Sequence, residues 1–293
     1  MLNPHDLYDF DEVNENLLID LPINGQIKHA IVHPGRDGFM FVMDRQTGQI
    51  YSADKYDDVT AIKSFDLKTG RPVMNDAMKP VLGKNITNIC PASPGVKDWQ
   101  PTAWSPLTHL VYIPHQHLCM NFETSEVGYI AGTPYVGATL DIYAGGGGYR
   151  GEFAAWDPVK RKKAWAIHEK FPVWTGTMVT AGNIAAYGTL DRWFKIVDAR
   201  NGKLLYQFHS PSGFVGQPIT YQGSDGNQYI AILDGIGGWP GAIANAEVDP
   251  RVRNAAGGFA GAVNDLPAYT SGGSTLLVFA LSHQGGSANA QQH

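Results

Sequence analysis

A short turn motif recurs along this chain and constrains its fold more than any other feature of the sequence. In each copy an Asp is followed four residues later by a Gly, with apolar segments on both sides. The Asp side chain can accept backbone N–H groups across a turn, and the Gly supplies a positive φ. The copies pair Asp44 with Gly48, Asp66 with Gly70 and Asp198 with Gly202, and Asp157 begins a variant without the Gly. Each copy predicts a strand, a tight turn and a strand. Repeats at large, irregular spacing indicate a radial or stacked array of sheets, with ordinary hairpins of a β-sandwich as the alternative.

The segments between these turns are typical of β-strands. They are short, rich in β-branched and aromatic residues, and bounded by turn residues, of which the chain has many (34 Gly and 18 Pro). Eight such segments are KHAIVHP, GFMFVMD, HLVYIPH, KAWAIHE, NIAAYGT, LLYQFHS, YIAILDG and STLLVFAL. We expect one all-β domain over residues 1–281, with an irregular excursion at 72–105 and a disordered tail at 282–293.

Charge and motif content exclude several classes of function. The net charge is −5, which argues against nucleic-acid binding, because nucleic acids select clustered Lys and Arg. The one basic cluster, KRKK at 160–163, is expected in a solvated turn. No apolar run approaches the length of a membrane span, and the N-terminus has no signal-peptide pattern. The sequence also lacks a phosphate-binding loop, a nucleophile elbow and a zinc-peptidase motif.

Two carboxylates near the N-terminus are the first candidates for chemistry. Asp9 and Asp11 are separated by one residue, so an extended segment places both on one face. Adjacent carboxylates repel each other unless a cation or a shared proton compensates them. A bound metal ion could leave one carboxylate as a ligand and the other free to act as a base. A solvated acidic loop is the alternative.

Three further residues are candidates for binding a ligand. Arg36, in HPGRDG, offers five donors and a permanent charge to a carboxylate or quinone oxygen, and a surface ion pair is its alternative role. Trp174 in VWTGTM and Trp239 in GIGGWPG are flanked by Gly or small residues. Such rings suit a flat platform for a planar ligand, with ordinary core packing as the alternative.

Taken together, these residues resemble the quinoprotein alcohol dehydrogenases, the family of methanol and ethanol dehydrogenases that depend on pyrroloquinoline quinone (PQQ). PHDLYDFDEVNE resembles the segment with the catalytic aspartate of the family, and HPGRDGFMFVMDRQTG resembles the strand with its PQQ-contacting arginine. VWTGTMVTAGNIAAYGTLD and YIAILDGIGGWPG resemble its last blades. The resemblance covers residues 4–281. It implies a partial β-propeller, about the second half of an eight-bladed propeller of four-stranded antiparallel blades.

The resemblance also implies roles for individual residues. Asp9 matches the base that takes the hydroxyl proton of the alcohol, and Asp9 and Asp11 match metal ligands. An acidic residue at the position of Asp11 is typical of the lanthanide-dependent members, so the expected cofactors are PQQ and a lanthanide ion, with Ca²⁺ as the alternative. The residues matched to cofactor binding are Arg36, Asp98, Trp174, Gly238 and Trp239.

Cys90 and Cys119 are the only cysteines of the chain. Composition alone leaves open whether they form a disulfide or remain two buried thiols. The family has a disulfide in the same region with the same separation, so the resemblance implies a Cys90–Cys119 bond. It also implies the periplasm, where enzymes of this family work.

The family enzymes are about twice as long as this chain. The resemblance therefore implies the C-terminal portion of a PQQ- and metal-dependent dehydrogenase, incomplete by itself, that oxidises a small primary alcohol to an aldehyde and passes electrons to a cytochrome c. The implied partners include a companion N-terminal half or a second copy of the chain. A truncated, non-catalytic propeller that serves as a binding or scaffold module is the alternative.

Overall fold

Residues 2–132, 136–245, 249 and 251–281 are described by a computed structural model of the chain. The tail predicted to be disordered, 282–293, lies outside the described residues. The first half of the described chain contains β1 (Leu17–Ile23), β2 (Gln26–Pro34), β3 (Phe39–Asp44), β4 (Ile50–Lys55), β5 (Ile62–Asp66), β6 (Arg71–Met74), β7 (Asn85–Ile89), β8 (Ala103–Ser105), β9 (Leu110–Gln116), β10 (Leu118–Thr124) and β11 (Ala138–Ala144).

The second half continues the pattern of short strands and adds two short helices. It contains β12 (Gly151–Asp157), β13 (Lys162–Glu169), β14 (Met178–Val179), β15 (Ile184–Gly188), β16 (Trp193–Asp198), β17 (Leu204–His209), β18 (Ile219–Gln222), β19 (Gln228–Asp234), α1 (Gly238–Ala244), α2 (Phe259–Val263) and β20 (Thr275–Ala280). Single 3₁₀ turns lie at Asp76–Met78, Ala256–Gly258 and Leu266–Ala268.

Four antiparallel sheets follow one another along the chain like propeller blades. The first has the order β1-β2-β3-β4, the second β13-β12-β9-β8, the third β14-β15-β16-β17, and the fourth is a three-stranded sheet of order β18-β19-β20. Two smaller sheets, β5-β6 and β11-β10-β7, are inserted around the second blade. This arrangement confirms the prediction of an all-β, partial propeller.

The recurring Asp turns are built as the sequence predicts. Oδ1 of Asp44 accepts the backbone N–H groups of Gln46 and Thr47, at 2.9 and 2.8 Å. The Gly that closes this turn, Gly48, has φ +74°. A carboxylate that satisfies two backbone donors replaces the ladder bonds lost where the chain reverses. Gly202 closes the equivalent turn after β16, and an added Cβ there would lie 2.8 Å from the ring of Trp165 on the second blade.

Apolar side chains from facing sheets fill the spaces between successive blades. Val32 and Val42 of the first blade pack with Val111 and Ile113 of the second. The second blade meets the third around Tyr112, Phe153 and Tyr187, and the third meets the fourth around Phe194, Ile232 and Phe279. Because each sheet alternates side chains between two faces, each inner blade has an apolar layer on both sides.

Residues 72–105 lead from the first blade to the second. The range contains part of β6, the 3₁₀ turn Asp76–Met78, β7 and the start of the second blade, joined by the loop 90–102. Among the described residues, no helix is both long and apolar enough to cross a membrane.

Candidate active site

The N-terminal segment alternates buried aromatic and exposed acidic side chains. Tyr8 and Phe10 are 2% and 0% exposed and stack on each other with ring centroids 5.2 Å apart. Asp9 and Asp11 point the other way, with 73% and 69% of their side-chain surfaces exposed. Asp6 fixes this arrangement because its carboxylate accepts the backbone N–H groups of both Tyr8 and Phe10. The segment therefore presents the two aspartates on one side, and Asp9 adopts a positive φ of 74°.

Arg36 gathers three carboxylates around one guanidinium. It lies in the turn between β2 and β3, and its side chain is 8% exposed. Nη2 lies 3.5 Å from Oδ2 of Asp9, and Nη1 lies 3.5 Å from Oδ1 of Asp11. Nη1 also lies 3.8 Å from Oδ1 of Asp98. Four of the residues singled out in the sequence, from three separate segments, thus meet at one place.

The loop 90–102 also holds Arg36 in place. Nη2 of Arg36 donates a 2.8 Å hydrogen bond to the carbonyl of Ser93, and the Arg36 carbonyl accepts 2.9 Å from the N–H of Val96. Gly95 permits this approach, since an added Cβ would lie 2.8 Å from the Cβ of Arg36. Nε of Arg36 is buried and has no hydrogen-bond partner within the described chain. The guanidinium is therefore held in place, while one of its N–H donors has no acceptor among the described residues.

Carboxylates outnumber basic side chains around Arg36, and burial is the main cause of the raised pKa of two of them. Partial burial raises the pKa of Asp9, repulsion from Asp11 raises it further, and Arg36 offsets only part of the change. Burial likewise raises the pKa of Asp98 despite the nearby guanidinium. One cation shared among three carboxylates leaves room for a second positive charge.

Comparisons with known proteins identify the family. Residues 2–53 and 149–230 match the family model described as "PQQ: Glucose/ethanol/alcohol dehydrogenase, beta-propeller domain". The lanthanide-dependent methanol dehydrogenase of Methylacidiphilum fumariolicum (strain SolV) is 43% identical over 96% of the chain. This chain belongs to the PQQ-dependent alcohol dehydrogenase family.

Other members of this quinoprotein family show the same likeness. Subunit 1 of the methanol dehydrogenase [cytochrome c] of Methylorubrum extorquens (strain AM1) is 37% identical over 96% of the chain. The solved structure of a europium-containing methanol dehydrogenase superposes with a TM-score of 0.92 and 43% identity over 96% of the chain. The match covers 47% of the Methylacidiphilum enzyme, 46% of the Methylorubrum subunit and 50% of the europium structure. The chain thus spans about half the length of its relatives.

The two tryptophans implied by the quinoprotein resemblance have different environments, one buried and one exposed. Trp174 is 4% exposed and packs on Phe259 of α2, with ring centroids 5.2 Å apart. Trp239, in the first turn of α1 next to Gly238, is 55% exposed. Within the part of the chain that the structure describes, neither ring lies over the guanidinium of Arg36. Their role in cofactor binding, with that of Gly238, stays a prediction.

The two cysteines are bonded to each other in the structure, as the family resemblance implies. Cys90 follows β7 and opens the loop that holds Arg36, and Cys119 lies on β10. The bond fixes the start of this loop to the inserted sheet.

Sequence reasoning missed three residues that connect the site to its surroundings. Oε2 of Glu12 accepts the backbone N–H of Arg36 at 3.0 Å and lies 3.0 Å from Nε2 of His33. Glu15 and Lys97 form a 2.7 Å ion pair. The only signal in the sequence is the acidic density of the N-terminal segment, since the partners of these carboxylates lie far along the chain.

The residues present fit a metal ion and PQQ in chemistry but supply only part of a binding site. Carboxylate oxygens suit hard cations, and Asp9 and Asp11 offer four of them, fewer than the six to eight that Ca²⁺ takes. Within the described residues, no group of three or more His, Cys, Asp or Glu side chains is arranged to hold a metal ion. The unpartnered Nε of Arg36 is suited to an anionic or quinone oxygen.

Proposed function

We propose that this chain is part of a PQQ- and metal-dependent alcohol dehydrogenase that oxidises a small primary alcohol to an aldehyde and passes the electrons to a cytochrome c. The observation that carries the proposal is the cluster of Asp9, Asp11 and Asp98 around Arg36. The names of the relatives, which include lanthanide-dependent and cytochrome c-dependent methanol dehydrogenases, support it. Such enzymes work in the periplasm, and we assign this chain to the same compartment.

Each residue of the cluster has a distinct task in this proposal. Asp9 and Asp11 bind the metal ion, which we take to be a lanthanide, and Arg36 and Asp98 contact the cofactor. Bound PQQ supplies the acceptor for the hydride of the alcohol carbon. Asp9 takes the hydroxyl proton of the alcohol, because its exposed carboxylate can be reached and its raised pKa brings it closer to that of an effective base. Arg36, held by Ser93, orients the cofactor oxygen.

A luminescence titration with Tb³⁺ tests the metal assignment on the chain itself. We expect one Tb³⁺ to bind and to be displaced more readily by La³⁺ than by Ca²⁺, because an extra carboxylate favours the higher charge. The double variant Asp9→Asn/Asp11→Asn should weaken binding at least about tenfold, since ligand charge sets affinity. Asp225→Asn/Asp249→Asn, which removes two exposed aspartates elsewhere, is the matched control. Equal affinity in the two double variants would reject the assignment.

We further propose that a companion N-terminal half supplies the remaining blades of the propeller and packs on the fourth sheet of this chain. The outer face of the fourth sheet is apolar and exposed along all of its strands; its side chains include Ile219, Tyr221, Leu233, Leu276 and Val278. In the other blades the corresponding layers are covered by the next sheet. An uncovered apolar sheet face of this kind favours association.

Dye-linked methanol oxidation separates an enzyme from a scaffold. With PQQ and La³⁺, we expect activity when the chain is co-produced with the first half of the Methylorubrum relative, and a heterodimer by light scattering. Asp9→Asn should remove the activity and keep the heterodimer. A heterodimer that stays inactive with the native residues would favour the scaffold module, and a homodimer would place a second copy on the apolar face.

A further inference from the structure

An ion pair with a fully buried lysine joins the N-terminal segment to the loop that carries Asp98. Oε2 of Glu15 lies 2.7 Å from Nζ of Lys97, and the side chain of Lys97 is 0% exposed. The other carboxylate oxygen of Glu15 accepts the backbone N–H of Thr102 at 2.7 Å and also its hydroxyl. Both oxygens of Glu15 are therefore engaged by one loop, which lies more than eighty positions away in the sequence.

Lys97 continues the connection to the candidate active site. Its Nζ donates a 3.1 Å hydrogen bond to the carbonyl of Asp98, the residue whose carboxylate faces Arg36. The backbone N–H of Asp98 donates 2.8 Å to Oε1 of Gln100, which is 0% exposed. The peptide groups on both sides of Asp98 are thus held from within the protein, while its carboxylate is left to face the guanidinium.

Glu12 and Glu15 fasten the same short segment at two points. Glu12 binds the backbone N–H of Arg36, and Glu15 binds the loop through Lys97 and Thr102. Asp9 and Asp11 precede both points, so the distance between these aspartates and Asp98 depends on how the segment is fastened. A charge pair that is largely withdrawn from water has a narrower range of favourable geometries than a surface pair.

We propose that Glu15 and Lys97 are positioning residues that set the separation of Asp9 and Asp11 from Asp98 around Arg36. The inference rests on the proposed function only where it concerns the bound metal. Neither residue is among those that we assign to the metal or the cofactor, and their effect passes through the backbone of the two segments.

The double variant Glu15→Gln/Lys97→Met tests the proposal without leaving a lone buried charge. The control, Lys195→Met with Glu169→Gln, neutralises another largely buried ion pair in the same way, the 2.6 Å contact of Lys195 in the third blade with Glu169 in the second. We expect the Tb³⁺ dissociation constant of the double variant to rise about tenfold, in the range seen for groups that orient metal ligands. The control should lower the melting temperature and leave the dissociation constant unchanged. The single variant Lys97→Arg, with Glu15 intact, should keep part of the Tb³⁺ affinity that the double variant loses.

Hydrogen exchange of the metal-free chain tests the same connection independently of any ligand. The double variant should exchange faster in both 6–15 and 96–102, with unchanged exchange in the third blade. If the native chain fails to bind Tb³⁺, the metal assignment falls, and the exchange rates still decide whether the ion pair holds the two segments. Equal loss of affinity in the double variant and the control, or unchanged exchange in both segments, would overturn the proposal.

Discussion

Two carboxylate clusters in this protein have opposite charge balances. Around Arg36, three carboxylates share one guanidinium at 3.5–3.8 Å, and two of them are mostly exposed. Around Glu152, a single carboxylate that is 2% exposed contacts His115 at 3.1 Å, His168 at 3.3 Å and the Nζ of Lys163. The first cluster has one basic side chain for three carboxylates, whereas three basic side chains surround the one carboxylate of Glu152 in the second.

The carboxylate pKa is lowered in the Glu152 cluster, whereas two carboxylate pKa values are raised in the Arg36 cluster. Burial alone raises the pKa of Glu152, but the hydrogen bonds and charges of His115 and Lys163 outweigh it and lower the value to about 2. The pKa values of Asp9 and Asp98 are raised. A saturated buried carboxylate contributes to the fold, whereas an unsaturated, accessible set can still gain by binding a cation.

Neutralising Glu152 should have the largest effect on stability. The variant Glu152→Gln removes the charge that compensates the groups around it, and breaking a buried pair costs about 3 kcal/mol. Urea denaturation at neutral pH measures the loss in the free energy of unfolding. Glu126→Gln, at an exposed position, should change it by less than about 0.5 kcal/mol. A loss for Glu152→Gln as small as that of the control would contradict the contrast drawn between the clusters.

His117, whose partner Asp57 also faces His115 of the Glu152 cluster, should make stability depend on pH. Burial lowers its pKa, but the 2.7 Å contact with Asp57 and the contact with the Gly146 carbonyl reverse this, so the net shift is upward. A raised pKa gives stability that is fully present below about pH 6.5, the unfolded value, and is lost as pH rises through the folded value. In mild acid, the free energy of unfolding of the native chain should exceed that of the His117→Gln variant by about 1.5 kcal/mol, the scale of a charge-assisted hydrogen bond. Denaturation curves at several pH values should show this gap narrowing toward alkaline pH; a constant gap would argue against the charged imidazole.

The smallest change in the free energy of unfolding is expected for Asp98→Asn, and it is a gain in stability where the other variants lose it. Because the pKa of Asp98 is raised, its contribution to stability is present below the unfolded value of about 3.9 and is lost as pH rises through the folded value. In metal-free buffer at neutral pH, Asp98→Asn should therefore stabilise the chain by up to about 1 kcal/mol. The gain should vanish in acid. Destabilisation at neutral pH would show that Arg36 already saturates its carboxylates.

The strands were largely predictable from the sequence. The eight segments singled out correspond to β2, β3, β9, β13, β15, β17, β19 and β20. Periodicity and turn chemistry are local, so a run of β-branched residues closed by an Asp and a Gly is sufficient to predict a hairpin. The extended segment assumed for Asp9 and Asp11 does not form, since Asp9 has φ +74°; the two aspartates share one side because Asp6 holds the backbone of Tyr8 and Phe10.

The surroundings of the site depended on contacts distant in sequence. That Lys97 is fully buried against Glu15 cannot be deduced from either segment, because a Lys in a loop is ordinarily exposed. The burial of Trp174 against Phe259 likewise depends on where α2 is placed.

By itself, the sequence determined the blades, their turns and the presence of the D-x-D pair, since these follow from interactions between neighbours along the chain. Only the tertiary structure decided that Asp9, Asp11 and Asp98 share Arg36 and that Glu15 is joined to Lys97. The reason is that the path of the loop 90–102 is set by packing between sheets. Packing of that kind depends on the whole chain and leaves no local pattern.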